Sequence, residues 1–352
     1  MRVTFCFALT ICAMASCSET PPSEGPPPVV APDVRPTDPL SLGLGSPTTL
    51  VGGGASSSDL ALIVWITEDG TVMQRNGLAA PSVAVAGLVD VKSVAIPYAV
   101  TQSGDLYRWN TTDPSQAPMK ILDAVADVNA DYGAFALLAD GQVMDLATMQ
   151  LVPEVADVVA IRASGFEQFI ISGGGQYSRA QRYYLQKNGT VLLQDVVVYL
   201  SGQLPNTSET HVFALGVAEV TASGFIQSAD GIVYFGEAIV HDVPARKMAS
   251  TPRQASDING STLASSYTTF VLFDDGALWA TTIGKVSGEN QQGAPAFRAS
   301  ATQLPMRLPG DVDVVDFAVV GPRVVAFTRD GSSFIDAGDG TFTPVSFERL
   351  RR

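Results

Sequence analysis

Beyond residue 17 the sequence contains no cysteine; all three, Cys6, Cys12 and Cys17, sit near its start. A body without thiols has no cysteine nucleophile and no thiolate zinc site. Histidine is almost as scarce. His211 and His241 stand in neither a His-x-x-x-His nor a Gly-x-Ser-x-Gly context, so both read as structural or surface side chains. Basic runs are missing too: charged residues are 16% of the chain and the formal net charge is −14. Nucleic acid is thereby excluded as a partner, because phosphate binding needs a cationic face. Segments of helical period are nearly absent, which leaves strands to build the core.

Phosphate and metal motifs fail on spacing. Gly173-Gly-Gly175 is followed by no Lys and no helical pattern, and reads as a hairpin tip. Asp311-Val-Asp313 and Asp336-Ala-Gly-Asp-Gly340 offer fewer than the roughly six to eight oxygens that calcium takes. No catalytic residue, metal ligand or cofactor is assigned, and three tryptophans make a quinone enzyme a poor reading.

At the N-terminus, Arg2 and the apolar stretch from Val3 to Ala15 form an export signal too short to span a bilayer. Two cleavage readings compete there. Ala13-Met14-Ala15 suits ordinary signal peptidase, whereas Met14-Ala15-Ser16-Cys17 resembles the lipobox of bacterial lipoproteins, with Met14 where Leu is usual. The second is preferred, so residues 1–16 are a signal peptide and acylated Cys17 is a membrane anchor. By the same resemblance, Ser18 after the cysteine implies the outer membrane of a Gram-negative bacterium. Residues 17–47, with Pro21-Pro22 and Pro26-Pro27-Pro28, form a disordered tether that buries too little apolar surface to offset its ordering entropy.

From residue 48 to residue 352 one pattern repeats. An apolar strand, a turn ending in Gly, and a second strand occur at Ile63–Val72, Tyr98–Tyr107, Ala134–Val143, Tyr184–Leu192, Phe225–Tyr234, Thr268–Trp279 and Val325–Phe334. The Asp-Gly and Asn-Gly pairs suggest two-residue turns with positive φ at both central positions. An acid followed by Val or Ile precedes six of them: Asp90-Val91, Asp127-Val128, Asp157-Val158, Glu219-Val220, Asp257-Ile258 and Asp313-Val314. These acids read as turn or strand-end residues recurring by repeat. The first repeat lacks the dipeptide, while Phe342–Leu350 resembles segments such as Ala80–Val85 and Gln303–Leu308. The unit is therefore permuted across the termini, with the C-terminal strand closing a ring. Roughly 43 residues per unit is the size of a four-stranded blade, and the expectation is an all-β, seven-bladed β-propeller.

Ala136-Leu-Leu-Ala-Asp-Gly-Gln-Val143, Gly104-Asp-Leu-Tyr-Arg-Trp-Asn110 and the small-residue loops Ala163-Ser-Gly165 and Ala222-Ser-Gly224 carry a family likeness. On them the chain resembles the regulator of chromosome condensation family, loosely over residues 50–350. That resemblance implies a propeller. The family's recurrent His after the small-residue loop is missing, and the acidic charge and export signal separate this chain from nucleotide-exchange and chromatin roles. Exported bacterial propellers of the family, one similar to a β-lactamase-inhibiting binder, imply instead that loops on one face hold a partner.

Aromatic residues or Arg stand at Tyr98, Tyr132, Phe166, Tyr267 and Arg323 in the loops entering the hairpins, and equivalent loops of a ring share one face. They are the candidate ligand-binding residues, set against core packing at the first residue of a strand. Two excursions, Gly173–Arg182 and Gly284–Ala301, read as long loops that add contact surface. The expected protein is a monomeric, lipid-anchored, non-catalytic binder of a protein or glycan. An exported propeller hydrolase or lyase with an acidic channel-mouth site and a structural envelope component are the alternatives.

Overall fold

The computed structural model describes residues 29–30, 50–53, 62–130, 133–163, 167–171, 175–199, 207–235, 238–254, 265–285, 288–289, 295–296, 299–306, 308–310, 312–336 and 341–351. Among the described residues every regular element is a strand. The expected signal peptide, residues 1–16, and most of the expected tether lie outside them. Four antiparallel strands form the body of each of seven sheets, and a separate two-stranded sheet pairs Gly288–Glu289 with Pro295–Ala296. Blade 1 holds Leu50–Gly53, Leu62–Ile66, Val72–Arg75 and Val83–Ala84; blade 2 holds Val91–Ala95, Tyr98–Thr101, Leu106–Arg108 and Met119–Leu122. Blade 3 follows with Val125–Asn129, Phe135–Leu138, Val143–Asp145 and Gln150–Leu151. The larger blade 4 comprises Val158–Ala163, Gly175–Gln186, Val191–Tyr199 and Thr207–Leu215, and Glu167–Ile171 also pairs with its second strand. Blade 5 is Val217–Val220, Phe225–Ser228, Val233–Phe235 and Ala238–His241. Ala245–Gln254, Ser265–Phe273, Leu278–Lys285 and Ala299–Met306 form blade 6; Val314–Val320, Arg323–Thr328, Ser333–Asp336 and Phe342–Val345 form blade 7. Two tether residues, Val29–Val30, pair in parallel with Ala214 and Leu215 at the edge of blade 4.

The alternation of each strand sends apolar side chains to both faces of its sheet, so each blade must bury both against neighbours. A ring is the arrangement that satisfies all of them. Seven hydrophobic clusters result, each shared by two adjacent blades. The one between blades 7 and 1 contains Trp65, Val320 and Phe327, and that between blades 4 and 5 contains Tyr183, Leu193 and Ile226. First strands of neighbouring blades approach one another around the axis and line the central channel.

The repeated turn differs from the two-residue form expected. In Thr67-Glu-Asp-Gly70 the Gly70 N–H donates to the Thr67 carbonyl at 2.9 Å and the Thr67 N–H to the Thr71 carbonyl at 2.9 Å. Only the glycine has positive φ, at 83°. This is a type I turn with a glycine bulge, which supplies the strand twist from a single left-handed residue. Asp69 accepts from the Thr67 hydroxyl and the Thr71 N–H, and these bonds hold its carboxyl down at about 2. Gly70 is also pressed against the next blade: a Cβ there would lie 2.9 Å from the Cα of Asp90.

The reason is a bond between blades. The Val91 N–H donates to the Gly70 carbonyl at 3.0 Å, and Val125, Val158, Val217, Ala245 and Val314 repeat the bond to Gly104, Gly141, Gly189, Gly231 and Gly276. The residue before the donor is often left-handed, as at Asp90, Ala124, Asp157 and Gly216. This divides the expected acid-Val series. Asp90, Asp157 and Asp313 do stand at the junctions; Asp127 and Glu219 lie further along their strands, beyond a bulge, because Ala124-Val125 and Gly216-Val217 fill the junction there. Asp257-Ile258 lies outside the described residues.

Ring closure uses the end of the segment singled out, Phe342–Leu350, and not its first four residues. Phe342–Val345 is the fourth strand of blade 7, and Val83–Ala84 and Ala299–Met306 likewise end blades rather than open them. Closure falls to residues 346–351. Left-handed Arg349 accepts from the Glu68 N–H at 2.8 Å, as Asp90 accepts from Gln102, and Leu350 bridges Thr67 as Val91 pairs with Thr101. The Arg351 N–H donates to the Ile66 carbonyl at 2.8 Å. Leu50–Gly53 then pairs with Leu62–Trp65, so the inner strand of blade 1 comes from both ends of the domain. Trp65 Nε1 donates to the Glu348 carbonyl at 3.0 Å, and Arg75 donates to the Ser346 carbonyl while stacking on Phe347 with 4.9 Å to the ring centre.

Candidate functional site

Two features single themselves out, a charged belt in the channel and a raised face. The belt is built from inner strands. Just past the bulge in each first strand, Ser93, Asp127, Ala160, Glu219, Lys247 and Asp316 occupy one register position in blades 2 to 7. Lys92 and Arg162 stand beside this layer. Ordered by blade, Lys92, Asp127, Arg162, Glu219, Lys247 and Asp316 alternate in sign.

Their contacts follow that order. Lys92 Nζ donates to the Val125 carbonyl at 3.3 Å, and Lys247 Nζ meets Asp316 at 2.7 Å and the Phe317 carbonyl at 2.8 Å. Asp127 and Glu219 are half-buried as residues, and protein surrounds both carboxyls. Desolvation pushes both above the usual carboxylate range. For Asp127 the Val128 N–H, the Ser93 hydroxyl, Arg162 and Lys92 oppose the shift; for Glu219 Arg162, the Met248 N–H and Lys247 do. Ser93 Oγ and Asp127 Oδ1 are both buried without a well-formed hydrogen bond. Chemically, the belt sets charged groups of both signs along the inner strands, able to engage a polar group. No cluster of His, Cys, Asp or Glu among the described residues is suited to hold a metal ion.

The raised face comes from unequal strand lengths. The second strand of blade 4 starts at Gly175 and that of blade 6 at Ser265, whereas blade 5 starts at Phe225, in register with Tyr183 and Phe270. At about 3.3 Å per residue, blades 4 and 6 stand roughly 25 Å and 15 Å above blade 5. Both rise from the side of the ring away from the Asp-Gly turns. The described residues of the stretches read as long loops, 175–182, 284–285, 288–289, 295–296 and 299–301, are strand. At the foot of the notch, Ser250 and Thr269 of blade 6 share a hydroxyl triangle with Ser223 of blade 5, at 2.7, 2.7 and 3.0 Å. His241 is buried beneath it against Phe273 and Trp279, with Nε2 3.2 Å from the Thr281 hydroxyl, and burial lowers its pKa.

Of the five residues expected at the binding face, the three described, Tyr98, Tyr267 and Arg323, do not share a register position. Tyr98 begins its strand half-buried, at the place filled by Val64, Phe135, Tyr183, Phe225, Phe270 and Val325, all core residues. Arg323 pairs with Val320 one step outward from the core and is half-buried. The backbone of Tyr267 pairs with Pro252 and Ile283 on the raised part of blade 6. Tyr132 and Phe166 lie outside the described residues. The belt was missed because its members sit in different local contexts; the acid of Asp127-Val128 and Glu219-Val220 was its one visible trace.

No protein-family model and no curated protein sequence matches the chain. Solved structures do. Yeast RCC1 (Prp20), in a complex with Kap60, is 12% identical with a TM-score of 0.40, over 85% of this chain and 74% of that one. SapL1 lectin with α-methyl fucoside is 12% identical at 0.37, over 86% and 96%, and YCF48 bound to D1 peptide is 12% identical at 0.33, over 85% and 84%. These likenesses carry no activity across to this chain.

Glu219 gives the belt a measurable signature. Its folded pKa is raised, so its contribution to stability falls as pH climbs from the ordinary glutamate range through the raised value, where the unfolded chain ionises first. Melting of the Glu219→Gln protein should therefore gain on wild type as pH rises above the ordinary glutamate range; parallel curves would show that the Glu219 carboxyl is not raised by burial.

Proposed function

We propose that this protein is an exported lipoprotein, anchored through acylated Cys17, that binds a protein or glycan partner on the face raised by blades 4 and 6 and catalyses no reaction on it. The observation carrying the reading is the asymmetry of the ring. Both extended blades rise on the same side and flank a short one, giving a notch walled by strand-paired sheet, and paired backbone holds contact residues at less ordering cost than a free loop. Tyr267, whose backbone belongs to the blade 6 wall, is the residue of the expected binding set assigned to this face under this reading. The 31 residues of the tether, 17–47, would let that face search away from a membrane.

A photo-crosslinking residue at Tyr267, compared with one at Val243 on the turn side, tests the face in intact cells. Partner adducts from position 267 and none from 243 are expected; the reverse would move the site to the other face. For the anchor, fatty-acid labelling should vanish in a Cys17→Ser variant, and persistent label would mean that Cys17 is not acylated.

A second reading, an exported hydrolase or lyase, draws on the raised carboxyls of Asp127 and Glu219 in the channel. Under the binding reading, Glu219→Gln leaves adducts from position 267 unchanged.

A further inference from the structure

On the turn side, opposite the notch, a cavity of about 550 Å³ opens at the seam between blades 7 and 1, lined by Glu68, Ser333, Phe347, Arg349, Leu350 and Arg351. We propose that this cavity binds a small anionic molecule through a carboxylate or phosphate group, with Arg351 as its principal contact. The proposal does not depend on the binding face.

The two arginines differ in how they are satisfied. Arg349 Nη2 meets the Asp69 carboxylate at 3.0 Å, so its charge is balanced. Arg351 is aimed by two backbone carbonyls instead, Nη1 to Val91 at 2.7 Å and Nη2 to Glu68 at 3.3 Å. Carbonyl oxygens orient a guanidinium without cancelling its charge, and among the described residues no carboxylate pairs with Arg351. A half-buried, fixed, uncompensated cation is unusual in a chain of net charge −14. Its remaining N–H groups can take an oxyanion as a fork.

The rest of the lining fits a small molecule bearing such a group. Phe347 and Leu350 supply apolar contact, and Ser333, whose hydroxyl donates to the Val345 carbonyl at 2.9 Å, keeps its oxygen lone pairs as acceptors. The side chain of Glu68 is exposed and can turn to solvent. The volume lies within the ordinary range for small-molecule sites. Because blade 1, blade 7 and the closing segment all contribute, the site exists only in the closed ring, and occupancy must stabilise closure.

Thermal melting and calorimetric titration of the purified protein with sodium phosphate and with sodium acetate, against sodium chloride at equal ionic strength, test this. A saturable response to at least one oxyanion beyond chloride is expected: phosphate alone assigns a phosphate-bearing ligand, acetate alone a carboxylate. Arg351→Gln should weaken it at least tenfold. If that variant fails to fold, Ser333→Leu, which fills the cavity from blade 7 and leaves the closing bonds in place, should cause the same loss. No response beyond chloride to either anion, or full response in the folded variants, would overturn the proposal.

Discussion

The ring depends on one backbone hydrogen bond made again at successive junctions, from the first residue of an inner strand to the carbonyl of the preceding blade's turn glycine. Gly70 must be left-handed to complete its own turn, and it must lack a Cβ because Asp90 of the next blade lies against it. A single residue type thus satisfies the hairpin and the junction together. The hydrophobic clusters then follow, since a blade docked at its turn has both faces covered by neighbours.

Where the chain must close on itself, the strand pairing that follows each junction is rebuilt from a distant segment. Arg349 is left-handed like Asp90, its carbonyl accepts from the Glu68 N–H as that of Asp90 does from Gln102, and Leu350 bridges Thr67 as Val91 pairs with Thr101. Trp65 and Arg75 reinforce the seam by bonding to carbonyls of residues 348 and 346. The inner strand of blade 1 is consequently shared, and its pairing closes an edge that would otherwise be open.

The architecture was legible because its signals are local. Gly70, Gly104, Gly141, Gly189, Gly231, Gly276 and Gly331 all fall at turns, and their number gives the blade count. What failed were matters of register. Asp127 and Glu219 look like junction acids in sequence, but a bulge after Val125 and Val217 shifts them into the channel. Tyr98 looks like a loop residue and occupies a core position. Gly173–Arg182 looks like a loop for its glycines, whereas from Gly175 it belongs to the longest strand of the fold. Alternation reports that a strand exists; it does not report where a bulge falls or how far the strand outreaches its neighbours.

The belt and the raised face both rest on closure, since neither the alternation of charge around the axis nor the notch above blade 5 survives an opened ring. The most direct test is a chain ending at Phe347, compared with the full protein by hydrogen exchange and thermal melting. Loss of Glu348 to Arg352 should expose the Glu68 amide and lower the melting temperature of the whole domain. A truncated protein with unchanged protection at Glu68 and unchanged melting would contradict the account.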